Sequence, residues 1–335
     1  MSSAARELVH EALVFDLHIE SFLPFRLFGY DLERAHRLNP GFLFGHLDLP
    51  RAREFGLDGG MWSLTTNPFR TAAGRWRAFL DNVALVKRLV ARSPSLELVR
   101  TASEWRRVAE SGLHPVLLSI QGANAVDGAP SLDAIPEDLV ARMTLLHLTP
   151  SQIGAPSSAA HHLRRSKGLG PGGPPLIEAM NERRIMVDLA HIHRRGFQEA
   201  VDVHTKDLPF AVTHGGVESV HRHWRNVNDD EIRAVAASGG VVGVIAAGLY
   251  LGRRQGASGA ERVVDHLGHL IEVGGEDVAG IGTDFDGFII PSAGIRGAHA
   301  YPLIVEAMLR RGWREGRIRK VLGLNVLRTL AALRP

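Results

Sequence analysis

The sequence predicts an α/β protein folded as one (β/α)8 TIM barrel. Three observations lead there. Eight short apolar runs, each ending in polar or glycine-rich residues, are spaced along all 335 residues. Amphipathic stretches of helical length separate them. The runs are nearly continuous in hydrophobicity, as strands of a parallel sheet covered on both faces should be. An open doubly wound sheet is the competing architecture, but no GxGxxG follows the first run to form a dinucleotide site.

In chain order the predicted strands are 13–20 (LVFDLHIE), 60–66 (GMWSLTT), 115–121 (PVLLSIQ), 142–148 (RMTLLHL), 185–191 (IMVDLAH), 209–214 (PFAVTH), 240–246 (GVVGVIA) and 278–284 (VAGIGTD). Helical patterns fall at 71–92, 174–183, 228–237 and 260–273. The second opens on two prolines, which a first helical turn accepts. The third begins at Asn228 with Glu231 three residues on, a capping-box arrangement. The glycine–proline cluster 168–175 lacks the Lys-Ser/Thr ending of a phosphate loop and reads as a loop leading into a helix. A last helix is expected at about 314–333, and no linker or repeat divides the chain, so 1–335 is expected to be a single domain.

Composition narrows the function classes. Thirty-nine Lys and Arg against 36 Asp and Glu give a net charge of +3, small for this length. The basic runs 161–167 and 310–320 lack interleaved aromatics, so solvated surface is expected there and no nucleic-acid partner. There is no cysteine, which excludes disulfides and thiol chemistry and leaves any metal to His, Asp, Glu or amide oxygens. No apolar run reaches the ~20 residues of a membrane span, and neither a signal peptide nor a C-terminal anchor pattern is present. A cytoplasmic protein is the expectation.

Asp16, His18 and Glu20 alternate along the first strand and would share one face. That face is either solvated or part of a metal site. Barrel enzymes take their reactive groups from the carboxyl ends of several strands. Here those ends carry His18, Glu20, Gln121, His147, His191, His214 and Asp284. Such a set crowded into one mouth would need a partner to offset its desolvation, and imidazole with carboxylate suits Zn²⁺ or a similar divalent ion able to activate water. The remaining histidines, His161, His162, His221, His223, His266, His269 and His299, are expected at the surface, and His193 in a turn before a helix.

Longer stretches carry a resemblance. DLHIE, GGMWSLTTN, TLLHLTPS, AMNERRIMVDLAHIH, VTHGG with RNVNDDEIRAVAASGGVV, GIGTDFDG, and YPLIVEAMLRRGW with VLGLNVLR follow one another in the order of the membrane (renal) dipeptidase family, peptidase family M19, of the amidohydrolase-like metal-dependent barrels. The resemblance implies hydrolysis of dipeptides with broad side-chain tolerance, two Zn²⁺ ions and a plausible homodimer. It makes His18 and Glu20 ligands of the first ion and His191 and His214 ligands of the second. By the same likeness His147 steadies the substrate carbonyl, Arg225 holds the substrate carboxylate, and Asp284 is the acid beside the bridging water.

Two departures stand out against the family pattern. Glu20 replaces an aspartate, a one-methylene change that a ligand role tolerates. Gln121 stands where a bridging glutamate belongs, and a neutral amide cannot bridge two cations as a carboxylate does. Weakened occupancy of at least one site is therefore expected. A mononuclear or degenerate member, which binds a small carboxylate without turnover or hydrolyses a different amide or ester, is the alternative to a binuclear dipeptidase.

Overall fold

The computed structural model describes residues 1–36, 41–158 and 168–335. The basic run at 161–167, with His161 and His162, lies outside them. Among the described residues are nine strands: β1 (Phe15–Ile19), β2 (Gly59–Thr65), β3 (Leu96–Val99), β4 (His114–Gln121), β5 (Arg142–Thr144), β6 (Met186–Asp188), β7 (Ala211–Gly215), β8 (Val241–Val244) and β9 (Ala279–Ile281). All except β3 follow one another in space as parallel neighbours. The ends of that path meet, because Asp284 N donates to His18 O (3.0 Å) and Glu20 N to Phe285 O (2.9 Å). The result is the expected eight-stranded barrel with helices around it.

The additional strand β3 pairs with the first half of β4, Leu96 beside His114 through Val99 beside Leu117, while β5 takes the second half of the same edge. Four residues with two half-exposed positions are too short to show a period, which is why the sequence did not reveal it. Two predicted strands end early. Those expected at 142–148 and 185–191 stop at Thr144 and Asp188, where the chain lifts into loops that carry His147 and His191.

The helices fall close to their predicted positions, at Ala72–Arg92, Gly173–Glu182, Asp229–Ala237 and Gly259–Gly274. Asn228 and Glu231 form the expected capping box, and Ser258 and Glu261 form another. The C-terminal helical run, Glu315–Leu333, is interrupted by a π segment at Lys320–Leu324. Gly323 lies there against the Leu13 carbonyl, where a side chain would not fit.

The barrel interior is layered. Phe15, Leu17 and Leu117 belong to an apolar floor under which Trp105 stacks on Phe15 (4.6 Å between ring centres) and Leu327 and Leu330 pack. Above the floor, register places Ser63 beside Ser119 and Ser119 beside Arg142, and one layer higher Thr65, Gln121, Thr144 and Asp188 side by side. The expectation that Asp16 shares a face with His18 and Glu20 fails. The β1–β2 register shifts between Asp16 and Ile19, and the Asp16 carboxylate accepts from Tyr301 Oη (2.6 Å) and Thr283 Oγ1 (2.6 Å) behind the barrel wall.

Candidate metal centre

At the carboxyl end of the barrel, His18, His214 and Asp284 bring ligand-type atoms within 4.8 Å of one another, all buried. His18 Nε2 lies 3.5 Å from Glu20 Oε1 and 3.4 Å from Asp284 Oδ1, and it has no hydrogen-bond partner. The His18 and His214 rings stack at 3.9 Å. His191 Nε2 faces His214 Nε2 at 2.8 Å, with the Gln121 amide nitrogen 3.2 and 3.4 Å from the two. Two ring nitrogens that close cannot both present bare lone pairs to each other; a proton or a cation must lie between them. His191 (φ 65°) and Asp284 (φ 60°) hold left-handed backbone conformations, a strain found at sites where geometry is imposed by function.

Burial dominates the electrostatics. It holds the His18, His191 and His214 imidazoles well below their usual pKa, with Arg142 adding to the effect on His18. It pushes the Glu20 carboxyl up to about 7 against a hydrogen bond from Thr65, and raises Asp284 well above the carboxylate range, helped by Glu20. His147 is lowered to about 4 by burial and by Arg225. Neutral imidazoles beside carboxyls that resist ionising are what a divalent cation would relieve, since it binds neutral ring nitrogen and draws carboxyls down. The donor set, nitrogen and oxygen without sulfur, fits such an ion.

Comparison with known proteins agrees with this chemistry. The sequence profile of the membrane dipeptidase family, peptidase family M19, matches residues 2–334. The chain belongs to that family. Dipeptidase tcpJ from Claviceps purpurea (strain 20.1) is 28% identical over 315 residues, 90% of this chain and 72% of that protein. A solved structure described as dipeptidase AC, a metallopeptidase of family M19, superposes with a TM-score of 0.83 at 26% identity, covering 96% of this chain and 99% of its own. A metallopeptidase from Rhodobacter sphaeroides, solved with a phosphinate mimic of the dipeptide L-Ala-D-Ala, gives 0.78 at 25% identity with the same coverage. The protein is a metal-dependent hydrolase of the dipeptidase family. Among the described residues, no helix is long and apolar enough to cross a membrane.

Within this family member the other predicted groups also converge. Arg225 is buried, donates from Nη2 to His214 O (3.1 Å), and pairs with no carboxylate among the described residues. Its Nε is buried without a partner. The guanidinium lies 5.9 Å from the Tyr250 ring. His147 packs edge-on against His191 at 4.8 Å. Gly122, at φ 90°, allows that approach, since a Cβ there would come within 3.1 Å of the His147 Cβ.

Sequence reasoning missed the layer beneath. Asp188 is fully buried and accepts from Thr213 N (3.0 Å), Ala190 N (3.0 Å), Thr213 Oγ1 (2.7 Å) and Arg142 Nη1 (3.0 Å). Arg142 is also fully buried, inside the barrel. The signal was available: a charge in the middle of a buried strand is kept only if something pairs with it. Two histidines expected at the surface are buried instead. His266 sits on the inner face of its helix and accepts from Val217 N at 2.8 Å, and His223 accepts from Arg225 N at 3.1 Å. His221, His269 and His299 are half-buried, and His193 caps the helix Arg194–Val203 as expected.

Proposed function

We propose that this protein hydrolyses dipeptides bearing a free terminal carboxylate, using Zn²⁺ held in the space that His18, Glu20, His191, His214 and Asp284 enclose. The observation that carries the substrate class is Arg225, a buried guanidinium that pairs with no carboxylate among the described residues. A bidentate fork of this kind is shaped for a carboxylate, and burying it unpaired makes sense when the substrate completes the pair. A divalent ion in that space would supply Lewis acidity to polarise the scissile carbonyl and acidify water.

The remaining work falls to the chain. Arg225 anchors the terminal carboxylate and thereby fixes the distance to the peptide bond. His147, neutral at physiological pH, donates to the carbonyl oxygen as charge develops on it. Asp284 takes a proton from the attacking water at its carboxylate and returns it to the leaving amine. A cavity of about 890 Å³ beside the mouth, lined by Leu249, Tyr250, Phe288 and Ile290 among others, gives room for varied apolar side chains. The family likeness supports a homodimer.

The test is amino-acid release from a dipeptide panel that includes L-Ala-D-Ala and the same dipeptides amidated at the C-terminus. Cleavage of the free acids only, abolished by a chelator and restored by Zn²⁺, is expected. Equal cleavage of the amides would remove Arg225 from its role. Binding of dipeptides without turnover, in protein loaded with metal, would favour the ligand-binding reading that Gln121 raises.

A further inference from the structure

His18 and His214 have opposite hydrogen-bond polarity, and the difference assigns them different roles. Thr213 Oγ1 has one hydrogen, and the ionised Asp188 oxygen 2.7 Å away can only accept it. Thr213 Oγ1 is then an acceptor for His214 Nδ1 at 3.0 Å, so Nδ1 carries the ring proton. His214 Nε2 is left as a lone pair, aimed into the centre. This carboxylate–hydroxyl–imidazole chain is how a metal-binding histidine is oriented.

His18 Nδ1 instead lies 2.8 Å from Arg142 Nη2. A guanidinium nitrogen never accepts, so at 2.8 Å it is His18 Nδ1 that accepts; the Ser63 hydroxyl, 3.2 Å from the same nitrogen, can donate to it as well. Nη2 has two hydrogens for three neighbours, and His18 is nearer than Ser63 (2.9 Å) or Ser119 (3.0 Å). A neutral imidazole that accepts at Nδ1 carries its proton on Nε2. The His18 atom facing Glu20 and Asp284 is therefore an N–H and offers a metal no lone pair.

Charge points the same way. Arg142 is a permanent cation sealed in the barrel, bonded to the very ring that a first ion would use, and Asp188 balances only one positive charge. A dication at His18 would be repelled by that guanidinium at low dielectric, and Gln121 contributes no bridging anion. We infer that the centre holds one divalent ion, on the side of His191 and His214, and that Arg142 with His18 fills the other half as a fixed positive charge. His18 is then a positioning residue, directed at Glu20 and Asp284. This inference rests on the metal-dependent reading above.

Metal-free full-length protein reconstituted with Co²⁺ or Zn²⁺ and desalted tests it, by metal per chain from plasma mass spectrometry and by the Co²⁺ absorption spectrum. The wild type is expected to hold one ion. His18→Gln should keep it with affinity changed less than tenfold, whereas His214→Gln should weaken binding by more than the ~10–100-fold of an outer-shell change. Gln121→Glu should still hold one ion, and a second should enter only when Arg142→Met is added. Two ions in the wild type or in Gln121→Glu, or loss of the ion in His18→Gln, overturns the inference. Should the double variant not fold, the His18→Gln and His214→Gln pair decides alone. Two ions with dipeptide cleavage would leave the dipeptidase reading intact, whereas a wild type with no ion and no cleavage would overturn both.

Discussion

The two flanks of the centre hang from one buried carboxylate and use it in opposite ways. On the His214 flank, Asp188 is reached through Thr213, whose hydroxyl passes the hydrogen-bond direction along and leaves a lone pair facing the cavity. On the His18 flank, Asp188 pairs with Arg142, which only donates and so reverses the polarity of the next ring. The residue type at both ligand positions is histidine. What the difference teaches is that the partner behind an imidazole decides whether it can hold a cation, so a ligand motif has to be read two layers deep.

The comparison breaks most completely at the shared anchor. Asp188→Ala leaves Arg142 buried and unpaired, a change that typically costs about 3–5 kcal/mol. A urea midpoint lowered accordingly, together with loss of bound metal, is the expected result, and a cost under about 1 kcal/mol would mean the two flanks are not tied together. Thr213→Val is the more selective cut, because it removes the relay to His214 and leaves the Arg142–His18 contact alone. Zn²⁺ affinity measured against a chromophoric chelator should fall ~10–100-fold. Unchanged affinity would show that His214 does not depend on Thr213 for its orientation.

Much of this arrangement was legible in the sequence, for a definite reason. His18, Gln121, His147, His191, His214 and Asp284 each end an apolar run, and a barrel gathers strand ends at one mouth, so the order of runs foretold the gathering. The anchor layer was not legible in the same way. Ser63, Ser119, Arg142 and Asp188 lie within strands, and their contact depends on which residues stand side by side, a matter of register. Asp16 shows the same limit. A register shift of β1 on β2 turns it to Tyr301, although strict alternation would have kept it with His18. Arg142 could have been suspected from its position among Val140, Ala141, Met143 and Leu145, where a lone charge has to be paired.

The smallest expected effect comes from the opposite end of the barrel, where a buried histidine also accepts a hydrogen bond but from a neutral donor. His114 Nε2 lies 3.2 Å from Trp62 Nε1, which can only donate. Burial, with Arg53 adding to it, lowers the His114 pKa to about 3 from an ordinary 6.5. Between pH 6.5 and 3 the unfolded chain therefore binds a proton that the folded chain refuses. Stability present above that window is lost as pH falls through it. Glutamine can accept from Trp62 without titrating, so His114→Gln should flatten the acid limb of the stability curve by one proton, at most about 1.4 kcal/mol per pH unit. Asp58, beside the same small cavity, has its pKa raised to about 7 by burial and acts in the other sense, losing stability as pH rises toward 7. It is present in both proteins and cancels in their difference. Urea unfolding of the two proteins from pH 4 to 8 should thus show a difference that is constant above about pH 6.5 and moves in favour of His114→Gln as pH falls toward 4; a difference independent of pH throughout would place the refused proton on another group and leave His114 as packing alone.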